Sequence, residues 1–67
     1  MSVARVTEIS ATSSESFEDA IKQGIDRASQ TLRHVKNAWV KEQQVHLDEG
    51  RIVSYQVNLL ITFVLED

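Results

Sequence analysis

A chain of 67 residues is expected to form one small domain over 1–67, and its 7 Lys plus Arg against 10 Asp plus Glu give a net charge of −3, which argues against nucleic-acid binding. With no cysteine there is no disulfide framework, zinc ribbon or thiol nucleophile. No apolar run is long enough to span a bilayer and no charged-then-apolar leader is visible, so a cytoplasmic protein with no membrane partner is expected.

Residues Ser2 to Ser10 read as a short strand, rich in β-branched Val3, Val6, Thr7 and Ile9, with Arg5 and Glu8 interrupting the alternation. Thr12 to Glu15 fits a capping box, in which the Thr12 hydroxyl accepts from the Glu15 N–H and the Glu15 carboxylate reaches back. Ser13, Ser14 and Ser16 extend this helix-start cluster, and no base or oxyanion motif accompanies them. The helix is predicted to run to about Val35. Phe17, Ala20, Ile21, Ile25, Ala28, Leu32 and Val35 recur at three- and four-residue steps as one apolar stripe. Gly24 lies inside that stripe. A mid-helix Gly costs about 1 kcal/mol against Ala, so it implies close backbone packing. Arg33, His34 and Lys36 crowd the expected C-terminal end, where positive charge suits the helix dipole.

Asn37 to Leu47 is predicted as the second strand and Arg51 to Glu66 as the third, with Asp48-Glu49-Gly50 as the hairpin turn between them. The third strand alternates clearly. Tyr55, Val57, Leu59, Ile61, Phe63 and Leu65 form an apolar face that must cover the helix. Gln56, Asn58, Leu60, Thr62, Val64 and Glu66 form a mixed face of the kind that meets another subunit or a ligand. In the second strand Ala38 and Val40 fit the helix side, leaving Asn37, Trp39, Lys41 and Gln43 on the other. Trp39, the only Trp, should therefore point away from the helix, as a ligand wall or a subunit anchor.

The fold class is α+β. A hairpin pairs strands two and three, and placing strand three centrally gives an antiparallel sheet in the order 1-3-2 wrapped on one long helix. One helix covers one sheet face and leaves the other bare, which calls for assembly. Size points the same way. Chains this small usually need a staple. Disulfides are absent, and His34 and His46 alone do not make a zinc site, so oligomerisation remains. The two histidines read as surface or interface residues. No nucleophile elbow, phosphate loop or paired-acid arrangement is present, so an enzyme is not expected.

The ordered set of features resembles the dodecins, small flavin-binding proteins of bacteria and archaea. It comprises the β-α-β-β order and length, the Thr12-Ser13 helix start, and Ala20-Ile21 through Arg27-Ala28. The Gly50 hairpin, Tyr55-Gln56-Val57 and the ending Phe63-Val64-Leu65-Glu66-Asp67 complete it, so the resemblance spans nearly the whole chain. It implies a hollow homododecamer with sheet faces inside and helices outside. It also implies flavins, riboflavin or FMN, bound as stacked pairs at two-fold axes. A Trp of each subunit sandwiches them and a Gln bonds the isoalloxazine edge. The implied role is storage, buffering and photoprotection without turnover, since a tight stack on indole shields a photoreactive ring.

Carried over by position, Gln56 falls on the family's flavin-contacting Gln. Asn37 stands at the stacking Trp position, and Trp39 follows two residues later on the same sheet face, about 6.5–7 Å further along. Gln44 and Val64 stand where some bacterial members hold arginines near the FMN phosphate. Neither pairs with phosphate as Arg does, so riboflavin or lumichrome-like ligands lose less than FMN. Ala11 stands where the family often has Gly. The expected cofactor-binding set is Gln56, Trp39, Asn37 and Gln44. The alternative is a cage that binds no flavin and instead takes calcium-like ions or another ligand, or serves as a structural shell. Some family members without the stacking Trp are connected with calcium. The oxygen candidates here are Asp48, Glu49, Glu66 and Asp67, which otherwise read as solvated turn and tail charges.

Overall fold

The computed structural model describes residues 2–65. Four elements follow in order: β1 (Ala4–Ser13), α1 (Phe17–Thr31), β2 (Val35–Asp48) and β3 (Arg51–Val64). The period-two pattern of β3 makes it the central strand. It pairs antiparallel with both neighbours, giving the expected order β1-β3-β2. Of its apolar row, Val57, Leu59 and Ile61 are fully buried together with Ala20 of the helix, whereas Leu65, expected on the same face, lies past the strand and is exposed. Phe17 closes one end of this core edge-to-face on Tyr55, with ring centroids 5.1 Å apart. Gly24 meets its expectation: a Cβ there would lie 3.1 Å from Ala11 Cβ and 3.2 Å from Leu59 Cδ1. Among the described residues, no helix is long and apolar enough to cross a membrane.

Several element ends differ from the sequence expectation. The first strand continues to Ser13, because Ala11, Thr12 and Ser13 still pair with Val57, Gln56 and Tyr55. Thr12 therefore belongs to the sheet, and the expected Thr12–Glu15 capping box does not form. The N-cap is Ser16, whose Oγ accepts from the Asp19 N–H at 3.0 Å. Ser13 bridges the corner: its Oγ accepts from the Glu15 N–H at 2.9 Å and donates to Asp19 Oδ2 at 2.6 Å.

The helix stops at Thr31 rather than near Val35. Leu32 donates its N–H to Ala28 O at 2.9 Å and then turns extended, and His34 takes a positive φ of 59°. Val35 keeps its place against the core, but as the first residue of β2, opposite Phe63. Arg33, His34 and Lys36 thus lie beyond the helix, whose last turn carries no basic residue. The third strand ends at Val64, and Leu65 donates its N–H to Val3 O at 2.9 Å. Glu66, the expected strand end, lies outside the described residues. The hairpin turn is two residues long: Glu49 and Gly50 both have positive φ, 50° and 78°, as a type I′ turn requires.

A bulge at Lys41 corrects the face assignment in β2. Val40 pairs with Leu59 and Glu42 with Asn58, so Lys41 is an extra residue in the ladder. One extra residue inverts the phase of everything after it. Gln43 therefore sits opposite Val57 of the core row rather than beside Trp39, and Gln44 moves onto the open face opposite Gln56.

The molecule is thin and long, 51 × 19 × 13 Å. Its Cα radius of gyration of 13.8 Å exceeds the roughly 11 Å of a compact domain of this length. Its accessible surface of 5103 Å² exceeds the roughly 4,300 Å² expected for its mass. Leu47, Ile52 and Val53 at the hairpin end are exposed, as is Trp39 at 70%.

Candidate functional site on the open sheet face

The face turned away from α1 is built in rows across the three strands. Asn37 and Val6 flank Thr62, Trp39 and Glu8 flank Leu60, and Glu42 and Ser10 flank Asn58. Gln44 and Thr12 flank Gln56, and His46 adjoins Ser54. Trp39 points off this surface into solvent, as expected from the sequence. Lys41 reaches across β3 to Glu8, Nζ to Oε1 at 3.2 Å.

Half-buried Gln56 is held at both ends of its amide. Its Oε1 lies 2.7 Å from His46 Nε2, and its Nε2 donates to Asn58 Oδ1 at 3.2 Å. Asn58 Nδ2 in turn donates to Glu42 Oε1 at 3.0 Å. Gln56 is therefore oriented before any ligand arrives, which lowers the entropy cost of using it as a recognition group. Sequence reasoning placed Asn58 on this face but not in a network, and it singled out neither Glu42 nor His46 as partners. No Gly or Pro in β2 marks the bulge that brings Glu42 opposite Asn58.

The four expected site residues share one face but fall into two pairs. Gln44 and Gln56 are cross-strand neighbours, and Trp39 and Asn37 occupy adjacent rows. Trp39 is opposite Leu60, four positions along β3 from Gln56, or roughly 13 Å at about 3.3 Å per residue. One protomer thus presents Trp39 and Gln56 apart from one another on the same sheet face. The concave groove of about 580 Å³ lies elsewhere, between β1 and α1, lined by Ile9, Ala11, Gly24, Arg27 and Thr31 among others. None of the four expected residues lines it. Of the calcium candidates, Asp48 and Glu49 sit at the hairpin tip, whereas Glu66 and Asp67 lie outside the described residues. Among the described residues, no three His, Cys, Asp or Glu side chains come together to hold a metal.

Comparison with known proteins settles the relationship. The family model described as Dodecin matches residues 3–66. The chain belongs to the dodecin family. It is 38% identical over 65 residues to the dodecin of Thermus thermophilus, covering 97% of this chain and 94% of that one. The solved dodecin from Streptomyces davaonensis superposes with a TM-score of 0.92 at 39% identity, covering 98% of this chain and 97% of that one. The calcium dodecin of Mycobacterium tuberculosis is 32% identical over 63 residues, covering 94% of this chain and 89% of that one. Its structure, that of a calcium-chelating antigen with a novel calcium-binding site, superposes with a TM-score of 0.84 at 28% identity, covering 96% and 91% of the two chains. The β-α-β-β chain order and the antiparallel 1-3-2 sheet read from the sequence are thus those of a dodecin.

Proposed function

We propose that this dodecin is a non-catalytic flavin-binding protein that stores, buffers and photoprotects riboflavin or FMN in the cytoplasm, with residues 1–67 acting as one domain. The observation that carries this reading is the open face itself: an exposed Trp39 and a pre-oriented Gln56 on one sheet face. This donor set suits a planar, polar-edged aromatic ring. Stacking a planar ring on the exposed Trp39 takes apolar surface of both out of water, which favours the complex. The Gln56 amide would bond the ring edge, and Trp39, with Asn37 beside it, would cover the ring face. Gln44 supplies no charge for a phosphate, which favours riboflavin over FMN.

The two halves of the site are too far apart to close on one ring within a protomer. A second copy, and by the family pattern a homododecamer with the open faces inward, would bring one subunit's indole to another's amide. The large surface and elongated shape support this. Titration with riboflavin, FMN and lumichrome tests the reading. Flavin fluorescence should be quenched at micromolar protein, Trp39→Ala should weaken binding far more than assembly, and Asn37→Trp should strengthen it. Absence of quenching with all three ligands rejects flavin binding.

A second reading, a cage that binds calcium instead, is favoured by the likeness to the mycobacterial calcium dodecin. Calorimetric titration with calcium chloride decides it: saturable heat with no flavin quenching would replace the first reading.

A further inference from the structure

The hydrogen-bond chain on the open face has a direction, and one residue sets it. A carboxylate has only acceptor oxygens, so Glu42 Oε1 forces the partner atom of Asn58 to be its NH2 group, 3.0 Å away. The Asn58 carbonyl oxygen must then face Gln56, and it can receive only the Gln56 NH2 group, at 3.2 Å. The Gln56 carbonyl oxygen is thereby turned the other way, onto His46 Nε2 at 2.7 Å, which must carry a proton. Neutral histidine with its proton on Nε2 and imidazolium both satisfy this. Without a carboxylate at its end, a run of two amides reads equally well in either direction.

Resting on the flavin-binding reading above, we propose that Glu42, acting through Asn58, is a positioning residue that makes Gln56 present an N–H donor, rather than its carbonyl oxygen, to the edge of a ring stacked on a second subunit's indole. Asn58 lies two positions along β3 towards Leu60 and Trp39, whereas His46 lies towards the hairpin tip. The Gln56 carbonyl is therefore engaged by His46, and of its two N–H groups one is given to Asn58 and the other is left for a ligand. The site thus selects a ring edge bearing an acceptor, a carbonyl oxygen or an imine-type nitrogen, over one that offers a donor. A ligand donor at that edge would meet the N–H and leave both groups unpaired.

The decisive test moves the carboxylate by one step. Glu42→Gln alone keeps length and hydrogen bonding but removes the direction. The double variant E42Q/N58D restores it, because the carboxylate then accepts from the Gln56 NH2 group directly and the total charge returns to that of the native chain. Riboflavin affinity, read by fluorescence quenching, should fall about five- to tenfold in E42Q and return to within about twofold of native in the double variant, with scattering mass unchanged in both. Equal affinity in native protein and E42Q, or no recovery in the double variant, overturns the proposal. A ligand-free readout separates this from failure of flavin binding. Neutron diffraction from crystals of the native protein and both variants should place the Gln56 NH2 group towards position 58 in native and double variant and in mixed orientations in E42Q. A Gln56 carbonyl facing Asn58 in the native protein refutes the proposal whether or not flavin binds.

Discussion

The two faces of one sheet carry different chemistry although their residues alternate along the same strand. On the helix side of β3, Val57, Leu59 and Ile61 are fully buried and are covered by the chain's own helix. On the other side, Gln56, Asn58, Leu60 and Thr62 are only half-buried, with Trp39 standing off the surface beside them. The helix side closes by apolar contact within the protomer. The open side ties its polar groups to one another, through Lys41–Glu8 and the chain from Glu42 to His46, and leaves its largest apolar group in water. Pairing polar groups before assembly lets such a face be covered without stranding unsatisfied donors. Folding information therefore sits on the helix side, and the residues proposed for recognition sit on the other.

Substitutions sharpen this contrast. Leu59→Ala should have the largest effect, a loss of about 3 kcal/mol from a buried cavity, seen as a lower urea midpoint at fixed protein concentration. Leu60→Ala, its neighbour on the open face, should cost the fold less than about 1 kcal/mol and act instead on the assembled mass. Similar losses of folding stability for the two would erase the distinction between faces. Gly24→Val should cost about 1–3 kcal/mol, because Ala11 and Leu59 already fill the space a side chain would need; a thermal melt reads it. Ser16→Ala should remove about 1 kcal/mol by loss of the cap to Asp19, whereas Thr12→Val should leave the helix signal in circular dichroism intact. Smallest of all, a double-mutant cycle on Glu8 and Lys41, each about half exposed, should give a coupling of roughly 0.5 kcal/mol that shrinks in high salt.

The parts of the fold fixed by periodicity were legible. The strict alternation of β3 identified the buried set, the three-and-four spacing identified the helix stripe, and the chain order gave the 1-3-2 sheet. Ends decided by competition were not. Thr12 and Ser16 are both good caps, and pairing with Gln56 takes Thr12 for the sheet. Val35 fits the helix stripe, but the left-handed turn at His34 ends the helix before it, and the extra residue Lys36 brings Val35 opposite Phe63 of the core row.

In the site, Trp39 and Asn37 precede the bulge, and alternation alone put them on the open face. Beyond Lys41 alternation misleads. Strict period two from Ala38 and Val40 would turn Gln44 and Glu42 to the helix, and only the bulge brings them beside Gln56 and Asn58. The Glu42–Asn58–Gln56–His46 chain was hidden for the same reason.

The most direct test of the account is the mass of the native protein in dilute solution by light scattering. Burial of the open face by sister copies predicts a particle of about twelve times the 7.6 kDa chain, stable on dilution. A well-folded 7.6 kDa species persisting at the same concentrations would contradict it, because the indole and the amide would then have no second subunit to bring them together.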